Sequence, residues 1–289
     1  MINNIDLSKY SSMKTGGIAE KCYFPVSADE LCGCISQLRK NGERFFVLGN
    51  MSNVLIPDEN IGFVPVITTK MNGITINENE DGSISVYAEC GVMLTKLAYD
   101  MCKKGYAGMV FAYGIPGTVG GAIYMNAGAY GSEISAVTEY VECYDVQNDC
   151  VVKITASDCG FGYRKSIFTE NGYVILGASL KLEKRNVEEL VSEAKETMQK
   201  RIDKQPLEYP SCGSAFKRPE GYFAGALIEQ SGLKGFSVGG AQISEKHAGF
   251  VINKGGATTK DVTDLMEAVS KKVKENFGVE LEPEIRVLK

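Results

Sequence analysis

The sequence predicts an α+β fold with an antiparallel-leaning sheet, and three observations lead there. Apolar runs of strand length recur between Val64 and Leu182. A single good amphipathic helix, MLTKLAYDMCKKG (Met93 to Gly105), stands among them. Strands in runs with few intervening helices are the pattern of α+β folds. At 289 residues the chain can also bury a sizeable core, in two or three lobes rather than one.

The elements follow in order. Residues 28 to 41, ADELCGCISQLRKN, begin acidic and end basic, with Leu31, Ile35 and Leu38 at helical spacing, so they read as a short helix. RFFVLG (Arg44 to Gly49) reads as a buried strand, which gives a strand–helix–strand lobe at the N-terminus. The strand candidates after it are VPVITT, GITIN, SISVYAEC, YVECYDV, VVKITA and YVILGASLKL. VEELVSEAKETMQKRIDKQP (Val187 to Pro206) is a long helix ended by Pro206, with a domain boundary near its start. A helix from about Thr259 to Phe277 and a strand at EPEIRVLK close the chain. No internal repeat or low-complexity tail appears.

Composition removes several classes of function. Net charge is −5 and no basic stripe stands out, which argues against nucleic acid as the main partner. The start, MINNIDLSKYSSM, is polar and carries no secretory signal, and no apolar run reaches membrane-spanning length. The chain is therefore expected to be complete and cytoplasmic, with no membrane partner. Its nine cysteines are odd in number, scattered and without CxxC, so they read as half-apolar core residues in a reducing compartment. With one histidine, a His-rich metal site is ruled out, and no metal is expected.

Three glycine-containing segments carry the candidate chemistry. In VLGNMSNVLIP, Gly49 to Asn53 lie between apolar strands. Gly and Asn tolerate left-handed backbone, so the turn can aim N–H groups at one anion; a plain strand–strand turn is the alternative. GIPGTVGGAIYMNAGAYG (Gly114 to Gly131) holds six glycines in eighteen residues, but not as G-x-G-x-x-G, so a dinucleotide-type Rossmann site is poorly supported. Missing Cβ atoms let a ligand lie against backbone, Pro116 stiffens the entry, and Gly117 can take positive φ after it. Thr118 and Asn126 supply small polar contacts. The alternative is a segment where helices pack closely; two such clusters after apolar runs favour one extended ligand with a pyrophosphate in its middle. In YPSCGSAFKRPEGYFAGALIEQSGLKG, Ser214 stands between Gly213 and Ala215, while Lys217, Arg218 and Lys234 form a positive cluster suited to a nucleotide diphosphate, or else a solvated basic face. G-x-S-x-G is absent, so a serine hydrolase carries little weight.

Seven segments, in order, resemble the UDP-N-acetylenolpyruvoylglucosamine reductase (MurB) family: KTGGIAE, LGNMSNVLIPD, GIPGTVGGAIYMNAGAYGSEI, FGYRKSIF, PSCGSAFKRP, GALIEQSGLKGFSVGGAQISEKHAGFVIN and LEPEIRVL. The resemblance covers nearly the whole chain. It implies a vanillyl-alcohol-oxidase-type (PCMH-like) FAD-binding fold, with lobes at 1–66 and 67–185 and a C-terminal α+β substrate domain at 186–289 whose last strand returns to the active site. It implies non-covalent FAD, NADPH as hydride donor, and reduction of a UDP-sugar enolpyruvyl ether in peptidoglycan precursor synthesis by a monomer. FAD contacts are expected from Gly49, Asn50, Met51, Ser52, Asn53, Gly114, Ile115, Pro116, Gly117, Thr118, Gly120, Gly121, Asn126, Gly128 and Ala129. Substrate contacts are expected from Tyr163, Lys204, Lys217, Arg218, Lys234 and His247.

By the same resemblance Arg164, as a fixed cation, and Glu284, as a nearby acid, lower the barrier as charge builds toward the substrate carboxylate, and Ser214 is the proton donor. Two features depart from the family pattern. Asn50 and Met51 stand where the turn often has more glycine. YRKSIFTENGYVILGASLKL also runs straight into a strand, with no room for a substrate-closing tyrosine loop, as in the shorter, second type of the family. Competing readings are another flavin oxidase of this fold, acting on a small alcohol or lactone, and a nucleotide-sugar sensor that binds flavin without turnover.

Overall fold

The computed structural model describes residues 1–59 and 61–289. They form two compact units. One comprises residues 22–50 and 63–200 with Met1; the other comprises 2–21, 51–62 and 201–289. Residues 2–21 and 51–62, which the sequence reading placed in the first lobe, thus pack with the C-terminal part of the chain.

The first unit is built on an antiparallel sheet. Its strands run in the order Cys150–Thr155, Thr138–Asp145, Tyr173–Lys184, Ile84–Glu89, Ile74–Glu78, and Tyr106–Ala107 pairs with the end of Tyr173–Lys184. Ile84–Glu89 alternates buried and half-buried residues, as a strand with one face in the core requires. Ile84, Val86 and Ala88 belong to the same core as Leu94, Leu97, Ala98 and Met101 of the helix Leu94–Lys103. Tyr173–Lys184 is central and buried along most of its length, which suits its near-continuous apolar run. At Gly177 a Cβ would fall 2.5 Å from the Tyr87 hydroxyl, so the sheet closes there only because glycine is present.

The expected N-terminal helix is Ala28–Lys40, capped by the Ser27 side chain, which accepts from the Glu30 N–H; Leu31, Ile35 and Leu38 are its buried face. Phe45–Leu48 follows and pairs in parallel with Val64–Ile67. The glycine-rich stretch contains a short helix, Val119–Met125, and a hairpin joining Gly128–Ala129 to Ser132–Glu133.

In the second unit Ser211–Ser214, Phe250–Asn253, Ala241–Ile243 and Ser237–Val238 form a four-stranded antiparallel sheet in that order. The helix Thr259–Phe277 starts at a capping box made by Thr258 and Asp261 and ends at left-handed Gly278. Its Val262, Leu265, Val269 and Val273 share a core with Leu227, Ile228 and Val251. The C-terminal strand is shorter than EPEIRVLK: Arg286–Val287 pairs in parallel with Val54–Leu55, and Pro283 forms an isolated antiparallel bridge with Phe216. Among the described residues no helix is long and apolar enough to cross a membrane.

Candidate active site

The first unit brings the two glycine segments together. Asn50 Nδ2 donates to the Pro116 carbonyl at 2.7 Å. A Cβ on Gly49 would fall 2.2 Å from Thr118 Oγ1, so glycine at 49 answers a close approach. The left-handed residue of that turn is Met51, with φ 48°.

Within the longer stretch the left-handed backbone lies at Gly114 (φ 88°), Asn126 (43°), Tyr130 (53°) and Gly131 (84°). The expected positive φ at Gly117 is replaced by pairing. Leu94 N donates to Gly117 O, Val119 N to Val92 O and Gly120 N to Cys90 O, at 2.9–3.0 Å, and these bonds stitch the segment along residues 90–94. Ile115 is half-buried and its N–H donates to Ala112 O at 3.0 Å.

The glycines differ in what they face. A Cβ at Gly120 would meet Cys90 Cβ at 2.8 Å, so this position is small for packing and does not turn its bare side to a ligand, as the sequence reading had expected. A Cβ at Gly128 would meet Glu133 Cγ and Ser132 O at 2.7 Å, within the hairpin that also contains half-buried Ala129. Gly121 is different. It is exposed, a Cβ there would touch only Thr118 Oγ1 at 3.6 Å, and its N–H reaches that oxygen at a long 3.4 Å. Two turns locked to each other, with bare, outward backbone at the start of a helix, fit the phosphate-bearing part of FAD.

Asn126 ends that helix and is buried, 1% exposed. Sequence suggested a polar contact to the ligand, but its amide is fully engaged within the protein. Nδ2 donates to Glu133 Oε2 at 2.7 Å and to Gly162 O at 3.1 Å, and Oδ1 accepts from Ser135 N at 3.2 Å. Through Gly162 it reaches the arginine turn. There Gly162 and Lys165 exchange N–H···O bonds of 3.0 and 3.1 Å around Tyr163 and Arg164. Arg164 has φ 55°, a conformation that costs a residue with a Cβ about 1–2 kcal/mol. Its Nη2 lies 3.3 Å from Gly128 O, and its guanidinium carbon is 5.0 Å from the ring centre of exposed Tyr163.

In the second unit Ser214 and Glu284 are neighbours through the backbone. Glu284 N donates to Ala215 O at 2.9 Å, and Lys217 N to Glu282 O at 2.8 Å. Glu284 O accepts from Asn53 Nδ2 at 3.2 Å, and Arg286 N donates to Asn53 O at 3.0 Å. Asn53, expected at the pyrophosphate, therefore anchors Glu284 through its amide; Ser52 beside it is half-buried. Ser214 is exposed, at the end of its strand and after left-handed Gly213.

Two lysines of the positive cluster read from sequence have carboxylate partners. Lys217 pairs with Glu282, and Lys234 pairs with Glu229 at 2.6 Å. Arg218 lies with its guanidinium carbon 3.9 Å from the Phe223 ring centre. Glu229 lies within the same segment as Lys234, whereas Glu282 comes to Lys217 from near the end of the chain.

His247 Nδ1 accepts from Gly249 N at 3.1 Å, leaving Nε2 as the N–H. Burial is the main cause that lowers its pKa, and the positive charges of Lys234 and Lys204 lower it further. Those three expected substrate residues thus influence one another. Burial pushes the thiols of Cys90 and Cys212 up to about 12, which suits core cysteines rather than nucleophiles. Sequence reasoning missed Thr95, whose Oγ1 accepts from Gly114 N at 2.8 Å, and Glu133, whose only sequence signal is its place after the glycine hairpin.

Residues 205–288 match the family described as UDP-N-acetylenolpyruvoylglucosamine reductase, C-terminal domain, and residues 19–153 match an FAD binding domain. The UDP-N-acetylenolpyruvoylglucosamine reductase of Clostridium novyi (strain NT) is 46% identical over 286 residues, covering 99% of this chain and 91% of that one. The enzyme of the same name from Caldanaerobacter subterraneus subsp. tengcongensis is 45% identical over 285 residues, covering 99% and 92%. Among solved structures, that of UDP-N-acetylenolpyruvylglucosamine reductase (MurB) from Thermus caldophilus aligns with a TM-score of 0.82 at 32% identity, covering 99% of this chain and 98% of that one. The chain belongs to the UDP-N-acetylenolpyruvoylglucosamine reductase family and has that family's α+β FAD-binding fold.

Proposed function

We propose that Arg164, Ser214 and Glu284 carry the chemistry by which this chain, an FAD-dependent oxidoreductase, reduces UDP-N-acetylglucosamine enolpyruvate to UDP-N-acetylmuramate. The observation behind this reading is the backbone pairing that sets Glu284 beside the Ser214 strand. Bound FAD supplies the two-electron chemistry, with NADPH as its reductant. Gly49, Asn50, Ser52 and the outward backbone around Gly121 are the residues to hold it, without a covalent link.

The chain's own groups manage charge and one proton. Reduction at the methylene carbon of the enolpyruvyl group builds negative charge toward the adjacent carboxylate. The Arg164 guanidinium stabilises that charge, since a fixed cation costs no reorganisation as the charge develops. Ser214 Oγ–H protonates the carbon next to the carboxylate. An aliphatic hydroxyl is a weak acid, but a carbanion-like centre is basic enough to take its proton. Glu284 is the acid near that carboxylate and lowers the same barrier. His247, neutral at pH 7, with Lys204 and Lys234, contacts the UDP-sugar; Tyr163, Lys217 and Arg218 complete that set.

A C-terminal substrate domain belongs to the same proposal, joined by residues 2–21 and 51–62 of the expected first lobe, as do a cytoplasmic location, a monomeric state, and the absence of nucleic-acid and membrane partners. Free cysteines throughout support a reducing compartment.

Rapid mixing of the two half-reactions tests the reading. In Ser214→Ala, flavin reduction by NADPH stays near normal, while reoxidation by the enolpyruvyl UDP-sugar slows about 10²–10⁴-fold. Ser214→Cys retains more activity than Ser214→Ala. Wild-type reoxidation in Ser214→Ala refutes the proton-donor role.

A further inference from the structure

Arg164 is held in a left-handed conformation by a short turn, and that turn is fastened to the first unit at three points. Ser166 Oγ donates to Tyr124 O at 2.8 Å, Arg164 Nη2 approaches Gly128 O at 3.3 Å, and Asn126 Nδ2 donates to Gly162 O at 3.1 Å. The third fastening is the most constrained. Asn126 must be left-handed to end its helix, which favours Gly, Asn or Asp. It must also offer two N–H donors and one acceptor at once, toward Glu133 Oε2, Gly162 O and Ser135 N. Glycine has no amide and aspartate has no donors, so Asn alone meets both demands. Glu133 completes the arrangement. Its carboxylate, 2.7 Å from Asn126 Nδ2, fixes the face of the amide, and its backbone pairs with Gly128, whose carbonyl meets the arginine.

We propose that Asn126 and Glu133 are positioning residues that set the place of the Arg164 guanidinium. They act through the turn and touch neither flavin nor substrate. Placement is what such a cation contributes: a displacement of about 1 Å can cost about 10²-fold in rate. The inference rests on the reading of Arg164 above.

The test uses the FAD-loaded protein and four variants: Asn126→Gly, Glu133→Ala, Glu133→Gln and Arg164→Ala. Asn126→Gly leaves the left-handed backbone free and removes only the amide. It is expected to reduce its flavin with NADPH at the wild-type rate and to reoxidise with the enolpyruvyl UDP-sugar about 10–100-fold more slowly. Amide hydrogen exchange at Gly162 and Lys165 is expected to quicken, a readout independent of turnover. Glu133→Ala follows Asn126→Gly in the same direction and carries the test if the glycine variant does not fold. Glu133→Gln stays near wild type, because its amide oxygen still accepts from Asn126.

Wild-type reoxidation in Asn126→Gly and Glu133→Ala, alongside a slow Arg164→Ala, overturns the positioning role and leaves Arg164 standing. Equal slowing of both half-reactions also overturns it, because that is the mark of a general structural residue. Wild-type reoxidation in Arg164→Ala removes the arginine assignment, and this inference with it.

Discussion

Gly49→Ala is the perturbation whose size the structure fixes best. The new methyl would lie 2.2 Å from Thr118 Oγ1, 3.1 Å from its Cγ2 and 3.2 Å from its Cβ. Thr118 is 1% exposed, so its side chain has no solvent to turn into. It is also the N-cap of the helix Val119–Met125, through its bond from Gly121 N. Two costs follow. Overpacking a filled site costs about 1–3 kcal/mol, and losing a threonine cap costs about 1 kcal/mol, so Gly49→Ala should lose about 2–4 kcal/mol of unfolding free energy. Thr118→Ala alone should lose only the cap.

In the double variant the two closest atoms are gone and the nearest remaining contact is Cβ at 3.2 Å, tight but accommodated by a small shift. Gly49→Ala/Thr118→Ala should therefore be more stable than Gly49→Ala, with a coupling of about 1–2 kcal/mol. Urea unfolding of the flavin-free proteins measures the cycle, and fluorescence titration gives FAD affinity beside it. If the two single effects add within about 0.5 kcal/mol, or Gly49→Ala is as stable as wild type, the claim that this contact joins the glycine segments is refuted.

Gly120→Ala should destabilise the protein by about 1–3 kcal/mol, with or without FAD, since its methyl would meet Cys90 Cβ at 2.8 Å. Normal unfolding with lost flavin affinity would instead show a ligand-facing position. His247 should make stability pH-dependent. Its folded pKa is lowered from 6.5 by burial, so between the folded value and 6.5 the unfolded chain binds more protons. The stability it contributes above pH 6.5 is then lost as pH falls through the folded value. His247→Gln should flatten the change in unfolding free energy between about pH 7.5 and 5.5; a slope unchanged from wild type assigns that dependence to other groups.

Periodic segments were legible in the sequence because their signal is local. The helices Ala28–Lys40 and Thr259–Phe277 carry caps, dipole-matched ends and an apolar face within their own residues. Val54–Leu55 and Arg286–Val287 lie in segments read as strands, but their pairing with each other, across more than two hundred residues, carries no local signal. The N-terminal strand Ile2–Asp6 was missed; in INNID only Ile5 is buried, so no alternation marks it. That glycines matter at 49, 120 and 121 was readable. What each one faces was not, because Cys90 and Thr118 come to them through the fold. The same limit made Lys217 look like free charge when Glu282, from near the end of the chain, pairs with it.

Glu284 shows how the fold can place a carboxylate through the backbone of its own residue. Its peptide N–H is taken by Ala215 O and its carbonyl by Asn53 Nδ2, so both ends of the residue are fixed. Phe216 bridges Pro283 one residue earlier, and Arg286 N and Leu288 N bond to Asn53 O and Leu55 O beyond it. Each such bond contributes only about 1 kcal/mol net, but together they leave the backbone of residues 282–288 one register. The lysine and serine segment on one side and the first glycine turn on the other therefore share a single reference. A shift in either moves Glu284 with it, which is how a carboxylate near the end of the chain keeps its place beside Ser214.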